Sequence, residues 1–177
     1  MKKTILFILC FSCLVASSCS KDDNDPPPVL PESCDQIVTF VDSSVRVTIP
    51  TAFTPNGDGL NDLYEVLAIL RDTTDFEYAV HQLNGDLVFQ SNSIHTRWDG
   101  RTNGGDILSD SLFRLQLRFR NFSGIIIDTC SYVYKLNTSG NGCVRTGNID
   151  TTKLVFLDMI DPSTMGIVFP TNEHFCL

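Results

Sequence analysis

The chain has 177 residues, of which 42% are hydrophobic and 19% are charged, and its formal net charge is −8. An acidic surface argues against nucleic acid as a partner and against charge-driven binding to anionic lipid headgroups. The length suits one globular domain behind a short N-terminal region. We therefore expect a single folded domain whose partners are not polyanions.

Residues 1–18 have the layout of a lipoprotein signal peptide. Two lysines follow the initial methionine, and residues 4–15 are almost all apolar. That run is too short for a membrane-spanning helix but suits an export signal. Ala16-Ser17-Ser18-Cys19 resembles a bacterial lipobox, which implies lipidation of Cys19 and membrane attachment through that lipid. The alternative is an ordinary signal peptide followed by an incidental cysteine.

Residues 19–33 predict a tether. The stretch SKDDNDPPPVLPES, residues 20–33, contains four acidic residues and a proline triplet, so it should be extended and solvated. The acidic residues directly after Cys19 resemble the signal that favours surface display in Bacteroidetes lipoproteins. The expected location is therefore the outer membrane, lipid-anchored and exposed at the cell surface, and the alternative is a plain spacer.

The cysteines of the folded part predict two disulfide bonds. Cys34, Cys130, Cys143 and Cys176 remain after the leader and the anchor are set aside, and an even number in an exported chain is typical of a disulfide framework. Three pairings are open. Because the sequence contains no CxxC motif and no histidine at a ligand spacing, we do not expect zinc. The bridges should pin the two ends of the domain.

Residues 34–177 predict an all-β domain without a sustained helical period. Residues 112–120, LFRLQLRFR, alternate between apolar and polar side chains, which predicts one core face and one solvated face. Turn signals such as Asn84-Gly85 separate the candidate strands. We expect an immunoglobulin-like antiparallel β-sandwich of about 7–10 strands, stapled by disulfides. The candidate strands span residues 36–41, 45–49, 63–70, 77–83, 87–90, 112–120, 124–136 and 153–157.

The C-terminal stretch, from residue 144 onward, contains apolar segments at 154–157 and 166–169. We expect these to be two further strands that complete the sandwich. The alternative is a partner-binding edge, since exposed strand edges recruit strands from other chains.

Three motifs occur in order: AFTPNGDGLNDLY at residues 52–64, HQLNGDLVFQS at 81–91 and WDGRTNGG at 98–105. Together they resemble the gliding-motility-associated C-terminal domain of Bacteroidetes, a sorting-type module of type IX secretion. The family-like core spans about 50–136, and residues 137–177 form a C-terminal extension. The matching residues are Phe53, Pro55, Asn56, Gly57, Asp58, Gly59, Asn61, Asp62, Gly85, Trp98, Asp99 and Gly100.

The resemblance implies an immunoglobulin-like sandwich that serves in type IX secretion and attachment to the cell surface. This chain differs from the usual family member in carrying its own lipobox and a stretch after the module. It also has Asp110-Ser111 where the family usually has a small residue followed by glycine before the last strand. What the resemblance implies is therefore the fold and the compartment.

The first motif also suggests a metal loop. On an EF-hand-like register, Asn56, Asp58, Asp62 and Glu65 offer the oxygen ligands that calcium prefers, and Gly59 permits the sharp turn. Asp99 would add a ligand if the two loops meet. The alternative is structural, because Asn and Asp side chains bond their own backbone in turns. Calcium is the only cofactor that the sequence suggests.

The sequence lacks the common catalytic motifs: no nucleophile elbow, zincin helix or phosphate loop occurs. Trp98 is expected to be a core anchor, and His81 a surface or hydrogen-bonded, half-buried residue. We expect a non-catalytic surface lipoprotein that binds a protein or glycan or joins a surface assembly. The alternatives are an enzyme acting on envelope polymers and a periplasm-facing component of the secretion or gliding apparatus.

Overall fold

Strands and turns make up the part of the chain that the computed structural model describes, which is Cys34 and residues 39–41, 45–139 and 142–176. The predicted signal peptide, the lipidation site Cys19 and the tether lie outside these residues. Within the described part, no helix is long and apolar enough to cross a membrane. Its ten strands are β1 Thr39–Val41, β2 Arg46–Thr48, β3 Ala52–Phe53, β4 Leu67–Ile69, β5 Glu77–His81, β6 Leu87–Ser91, β7 Ser111–Arg120, β8 Ile126–Lys135, β9 Asn137–Thr138 and β10 Val144–Arg145.

Two sheets form a sandwich, which confirms the predicted all-β class. The smaller sheet has the order β1-β2-β4, and the larger has the order β3-β8-β7-β5-β6. Strands β9 and β10 form a separate ribbon. All these pairs are antiparallel except β3–β8, where Ala52 lies opposite Tyr134 in a parallel register. The short parallel strand β3 was not predicted, because two residues are too few to show a pattern.

The longest hairpin, β7–β8, defines the large sheet. Its register runs without a break from Ser111 opposite Lys135 to Arg120 opposite Ile126. The apolar members of the predicted alternation face the core as expected. The other face is not fully solvated, because Arg114 is only 9% exposed and its Nε donates to Cys34 Sγ at 3.1 Å. Cys34 therefore lies against Arg114 on a face that the sequence assigned to solvent.

The main core lies between the two sheets. The small sheet and its flanks contribute buried Val45, Val47 and Ile49, and the large sheet contributes inward side chains such as Leu115 and Leu117. A second, smaller cluster consists of Ala52, Leu136, Val144, Leu154 and Phe156. Among the described residues, none from the stretch 148–176 belongs to the main cluster. The C-terminal stretch thus packs with Ala52 and Leu136 in this second cluster.

Both predicted disulfides are present, and the structure decides the pairing. Cys34 is bonded to Cys130, and Cys143 is bonded to Cys176. The first bridge fixes the start of the domain to the middle of β8. The second closes a 33-residue separation and fixes the end of the chain beside β10. The expectation that the bridges pin the two ends is confirmed.

The predicted C-terminal strands are wrong. Residues 153–157 begin within a 3₁₀ turn, Thr151–Lys153, and end within another, Leu157–Met159. Asp150 caps the first turn by accepting a hydrogen bond from the Thr152 amide. Residues 166–169 make a single bridge, between Ile160 and Ile167, and no strand. Apolar runs of this length satisfy their backbone here through turns and isolated contacts, which hydrophobicity alone does not reveal.

The predicted strand over residues 63–70 is shorter than expected. Only Leu67–Ile69 pairs with β2, because Tyr64 pairs instead with Trp98 in an isolated antiparallel bridge. The amide of each residue donates to the carbonyl of the other at 2.8 Å. This crossing brings the first and third family motifs together in the core.

Burial of Tyr64 predicts a pH-dependent stability. Burial, with a smaller contribution from the charge of Tyr78, raises the pKa of the Tyr64 hydroxyl well above its usual 10.0, and the hydroxyl donates to the Pro50 carbonyl at 3.0 Å. The folded state therefore favours the protonated form, so this stabilisation is complete below pH about 10 and is lost as the pH rises further.

We expect Tyr64→Phe to lower the free energy of unfolding by about 1 kcal/mol at neutral pH, through the lost hydrogen bond. Above pH about 10, the free energy of unfolding should fall less steeply with pH in the variant than in the wild type. The two slopes should differ by about 1.4 kcal/mol per pH unit. Urea unfolding between pH about 8 and about 11.5 measures both effects. Equal slopes for the two proteins would contradict the buried, protonated state of Tyr64.

Candidate functional site

The loop of the first family motif is organised around the Asp62 carboxylate. One oxygen accepts from the Gly57 amide at 2.5 Å, and the other accepts from the Gly59 amide at 2.7 Å. Both glycines have positive φ angles, +82° and +89°, which side chains other than glycine rarely adopt. The alternation of glycine and acidic residues in the motif therefore encodes a turn closed by a carboxylate.

Asn56 and Asp58 complete the same turn. Asn56 Oδ1 accepts from the Asp58 amide at 3.0 Å, and Asp58 Oδ1 accepts from the Leu60 amide at 2.8 Å. The two side chains are also linked to each other, Asn56 Nδ2 donating to Asp58 Oδ2 at 2.8 Å. Side chains of this kind bond neighbouring backbone groups in turns, which is the structural alternative that the sequence left open.

The residues suggested as calcium ligands do not converge. Glu65 forms an ion pair with Arg97, and Asp99 forms one with Arg101. Asp62 uses both of its oxygens on glycine amides. Across the residues described by the structure, no group of three or more His, Cys, Asp or Glu side chains is arranged to hold a metal ion. The residues present do not fit a calcium site.

The tryptophan of the third motif lies at the centre of the core, where its side chain is fully buried. Its ring packs against Phe53 at 5.1 Å and Phe113 at 5.2 Å between centroids, and its indole Nε1 donates to the Arg101 carbonyl at 2.7 Å. Trp98 thus joins the first motif, the large sheet and its own turn. The expected role as a core anchor is confirmed.

Gly100 of the same motif is required by close packing. Its φ is +80°, and a Cβ placed there would lie 2.7 Å from Lys135 Cε and 3.4 Å from Phe53 Cζ. The Lys135 stem crosses this position to reach Asp110, where Nζ and Oδ1 are 2.8 Å apart. Asp110, which stands in the place of a small family residue, therefore holds a buried lysine.

The second motif is also a turn. Gly85 has φ +97°, and its amide donates to the Gln82 carbonyl at 2.9 Å. The Asp86 amide donates to Asn84 Oδ1 at 3.0 Å. His81 is 6% exposed, more buried than predicted, and its Nδ1 lies 3.2 Å from the Gly85 carbonyl oxygen. Each of the three motifs therefore shapes the backbone of the sandwich.

Asn61 links the motif loop to the C-terminal extension, an arrangement that sequence reasoning missed. Its side chain is 8% exposed, and its Nδ2 donates to Glu173 Oε1 at 2.9 Å and to Asp158 Oδ1 at 3.2 Å. Its Oδ1 accepts from the Asp158 amide at 3.1 Å. Asp158 and Glu173 are far from Asn61 in sequence and belong to no motif, so no local pattern could have indicated them.

Two of the clefts on the described surface are lined by polar as well as apolar side chains. The larger, of about 330 Å³, has apolar walls that include Leu112, Tyr134 and Ile149, with the Lys135–Asp110 pair and Arg145 at its edge. The smaller, of about 170 Å³, lies on the outer face of the large sheet around Arg118. Neither is lined by a histidine or a cysteine.

These features define a disulfide-bonded immunoglobulin-like module whose sequence motifs build its turns and core. The sequence matches the family described as the CHU_C type IX secretion signal domain over residues 47–147, more than half of the 177-residue chain. The chain therefore belongs to this family, as the resemblance implied. No curated protein and no solved structure shows significant similarity to it.

The geometry of the first motif's loop predicts how the thermal stability of the chain responds to calcium. Because the loop carboxylates already accept hydrogen bonds from the backbone, we expect one melting midpoint for the chain in calcium and in chelator. Asp62→Ala should lower the free energy of unfolding by about 1–3 kcal/mol in both conditions, since two loop amides lose their acceptor. Thermal melting of both proteins tests this expectation. A midpoint that rises with calcium in the wild type and not in Asp62→Ala would contradict it.

Proposed function

We propose that the protein is a non-catalytic lipoprotein of the outer membrane, anchored through Cys19 and exposed at the cell surface. There it would bind a protein or glycan partner or join a surface assembly. The family relationship supports a type IX secretion module of the cell envelope. The observation that carries the non-catalytic part is the use of the motif residues: Trp98 and Gly100 pack the core, and Asp62 closes a turn.

Exposed apolar side chains support a binding role. At the tip of the β7–β8 hairpin, Phe122 is 52% exposed and Ile125 is 59% exposed, and Ile126 beside them is half-exposed. The Arg71 guanidinium lies 4.7 Å from the centre of the Phe122 ring. Contiguous apolar patches on the surface of a soluble protein often mark interaction sites. A hairpin tip also projects its side chains away from the sandwich, where a partner can reach them.

The position of Cys34 supports attachment through the N-terminal side. Its disulfide with Cys130 fixes the start of the folded domain to the outer face of the large sheet, where Arg114 packs against its sulfur. A pull on the chain upstream of Cys34 would therefore be carried by a covalent bond into the central hairpin. That arrangement suits a module that is held by its N-terminal tether.

Proteolysis of intact cells tests the proposal. We expect added protease to digest the wild-type protein while a periplasmic control protein survives. We also expect Cys19→Ser to move the protein from the membrane fraction to the soluble fraction, because its lipid attachment is lost. Cys13→Ser, in the leader, is the matched control and should leave the distribution unchanged.

Protection of the wild-type protein until the cells are lysed would overturn surface exposure and favour the periplasm-facing role in the secretion apparatus. A Cys19→Ser protein that stays in the membrane fraction would overturn lipid anchoring at that residue.

A further inference from the structure

The C-terminal extension covers the face that carries the first family motif. Of this extension, residues 148–176 lie beyond the part of the chain that matches the family, which ends at residue 147. They nevertheless contact strand β3, Thr54 and Asn61, all of which lie inside the match. The motif face is therefore occupied by a segment that is not part of the family module.

The first set of contacts involves the backbone beside β3. The amides of Thr51 and Ala52 both donate to the Val155 carbonyl, at 2.8 and 3.2 Å. The Thr51 hydroxyl donates to the Lys153 carbonyl at 3.0 Å and accepts from the Val155 amide at 2.8 Å. The Val155 carbonyl thus takes up two backbone donors beside β3 that an added strand could otherwise use at this edge.

The second set of contacts involves two carboxylates. Glu173 accepts hydrogen bonds from the Thr54 hydroxyl and from Asn61 Nδ2, and Asp158 accepts from the same amide nitrogen. The loop thus presents a hydroxyl and an amide donor side by side, and both are satisfied by acidic side chains of the extension. Donors arranged in this way favour a carboxylate-bearing segment over a neutral one.

The extension packs beside the main core and not within it. Its buried apolar residues Leu154 and Phe156 belong to the second cluster, where they contact residues of the module such as Ala52, and neither belongs to the main cluster. Segments with few contacts to the main core open at lower free energy than the whole domain. The Cys143–Cys176 disulfide, across its 33-residue separation, restrains that opening.

We propose that the face formed by β3, Thr54 and Asn61 is an acceptor site for a carboxylate-bearing peptide segment, and that residues 150–176 are its built-in occupant. The Cys143–Cys176 bond holds this occupant in place within one molecule. When the bond is absent, the same segment of a second copy of this chain fits the site. This inference rests on the proposed assembly function and names the surface that would serve it.

A labelled peptide tests the acceptor site in the full chain. The probe is a fluorescent synthetic peptide of residues 150–176 with serine in place of Cys176. The test protein is the full chain with Cys143→Ser and Cys176→Ser, which removes the bond. The matched control is the full chain with Cys34→Ser and Cys130→Ser, which removes the other disulfide and keeps the extension fastened.

Loss of the Cys143–Cys176 crosslink, which spans 33 residues, should raise the fraction of molecules in which the extension has left the module by about 100- to 1,000-fold. We therefore expect saturable peptide binding to the test protein, and none to the wild type or the control protein. A peptide carrying Asp158→Asn and Glu173→Gln should bind at least about tenfold more weakly, because the donors of Thr54 and Asn61 lose charged acceptors.

Three results would overturn the proposal: no binding to the folded test protein, equal binding of the neutralised peptide, or loss of the near-ultraviolet circular dichroism of Trp98 in the test protein. The last would show that the main core depends on the extension. None of these outcomes bears on surface exposure, which the protease digestion of cells decides independently.

Discussion

Burial of Trp98 is the constraint on which the rest of the domain depends. Its backbone pairs with Tyr64, its ring packs on Phe53 and Phe113, and its indole nitrogen is satisfied by a carbonyl within its own turn. A buried indole needs such a partner, since an unpaired donor in the core is costly. The tight turn that provides it requires glycine at position 100, because the Lys135 side chain passes directly beside it. One side chain thus fixes the relative positions of two family motifs and the central hairpin.

The sequence predicted the sandwich where its pattern is local and long. The alternation over residues 112–120 gave both the strand and its inward face, and the cysteine count gave two disulfides. Prediction from the sequence failed where tertiary contacts replace regular strand pairing. The apolar run at 153–157 satisfies its backbone through Thr51 and two 3₁₀ turns, and Arg114 contacts Cys34, which is 80 residues away in sequence. Neither contact can be inferred from the local hydrophobic periodicity of the sequence.

The same distinction applies to the motif loop. Sequence reasoning identified its residues and offered calcium and turn formation as alternatives, since both use Asn and Asp oxygens. The geometry favours the turn, because the oxygens of Asp62 accept from glycine amides. It also shows that Asn61 faces two carboxylates of the C-terminal extension, a contact across more than ninety residues. The motif therefore has two roles. Asp62 closes the turn, and Asn61 binds the extension at the surface of the module.

Two layers of different stability follow from this arrangement. The main core, with Trp98 at its centre, belongs to the family module, whereas the extension packs in the second cluster, is bonded through Cys176 to Cys143 and makes polar contacts to Asn61. If the extension separates as proposed, the module keeps its fold while its surface changes. This combination suits the proposed role in binding and assembly at the cell envelope.

Native-state hydrogen exchange of the unmodified chain, read by mass spectrometry, tests that central claim most directly. The account predicts that amides of the Tyr64–Trp98 bridge and of strands β7 and β8 exchange only through global unfolding. The amides of residues 151–160 should exchange through an opening of lower free energy, before the core does. Exchange of both regions together, with one opening free energy, would contradict the account and make the extension an integral part of a single core.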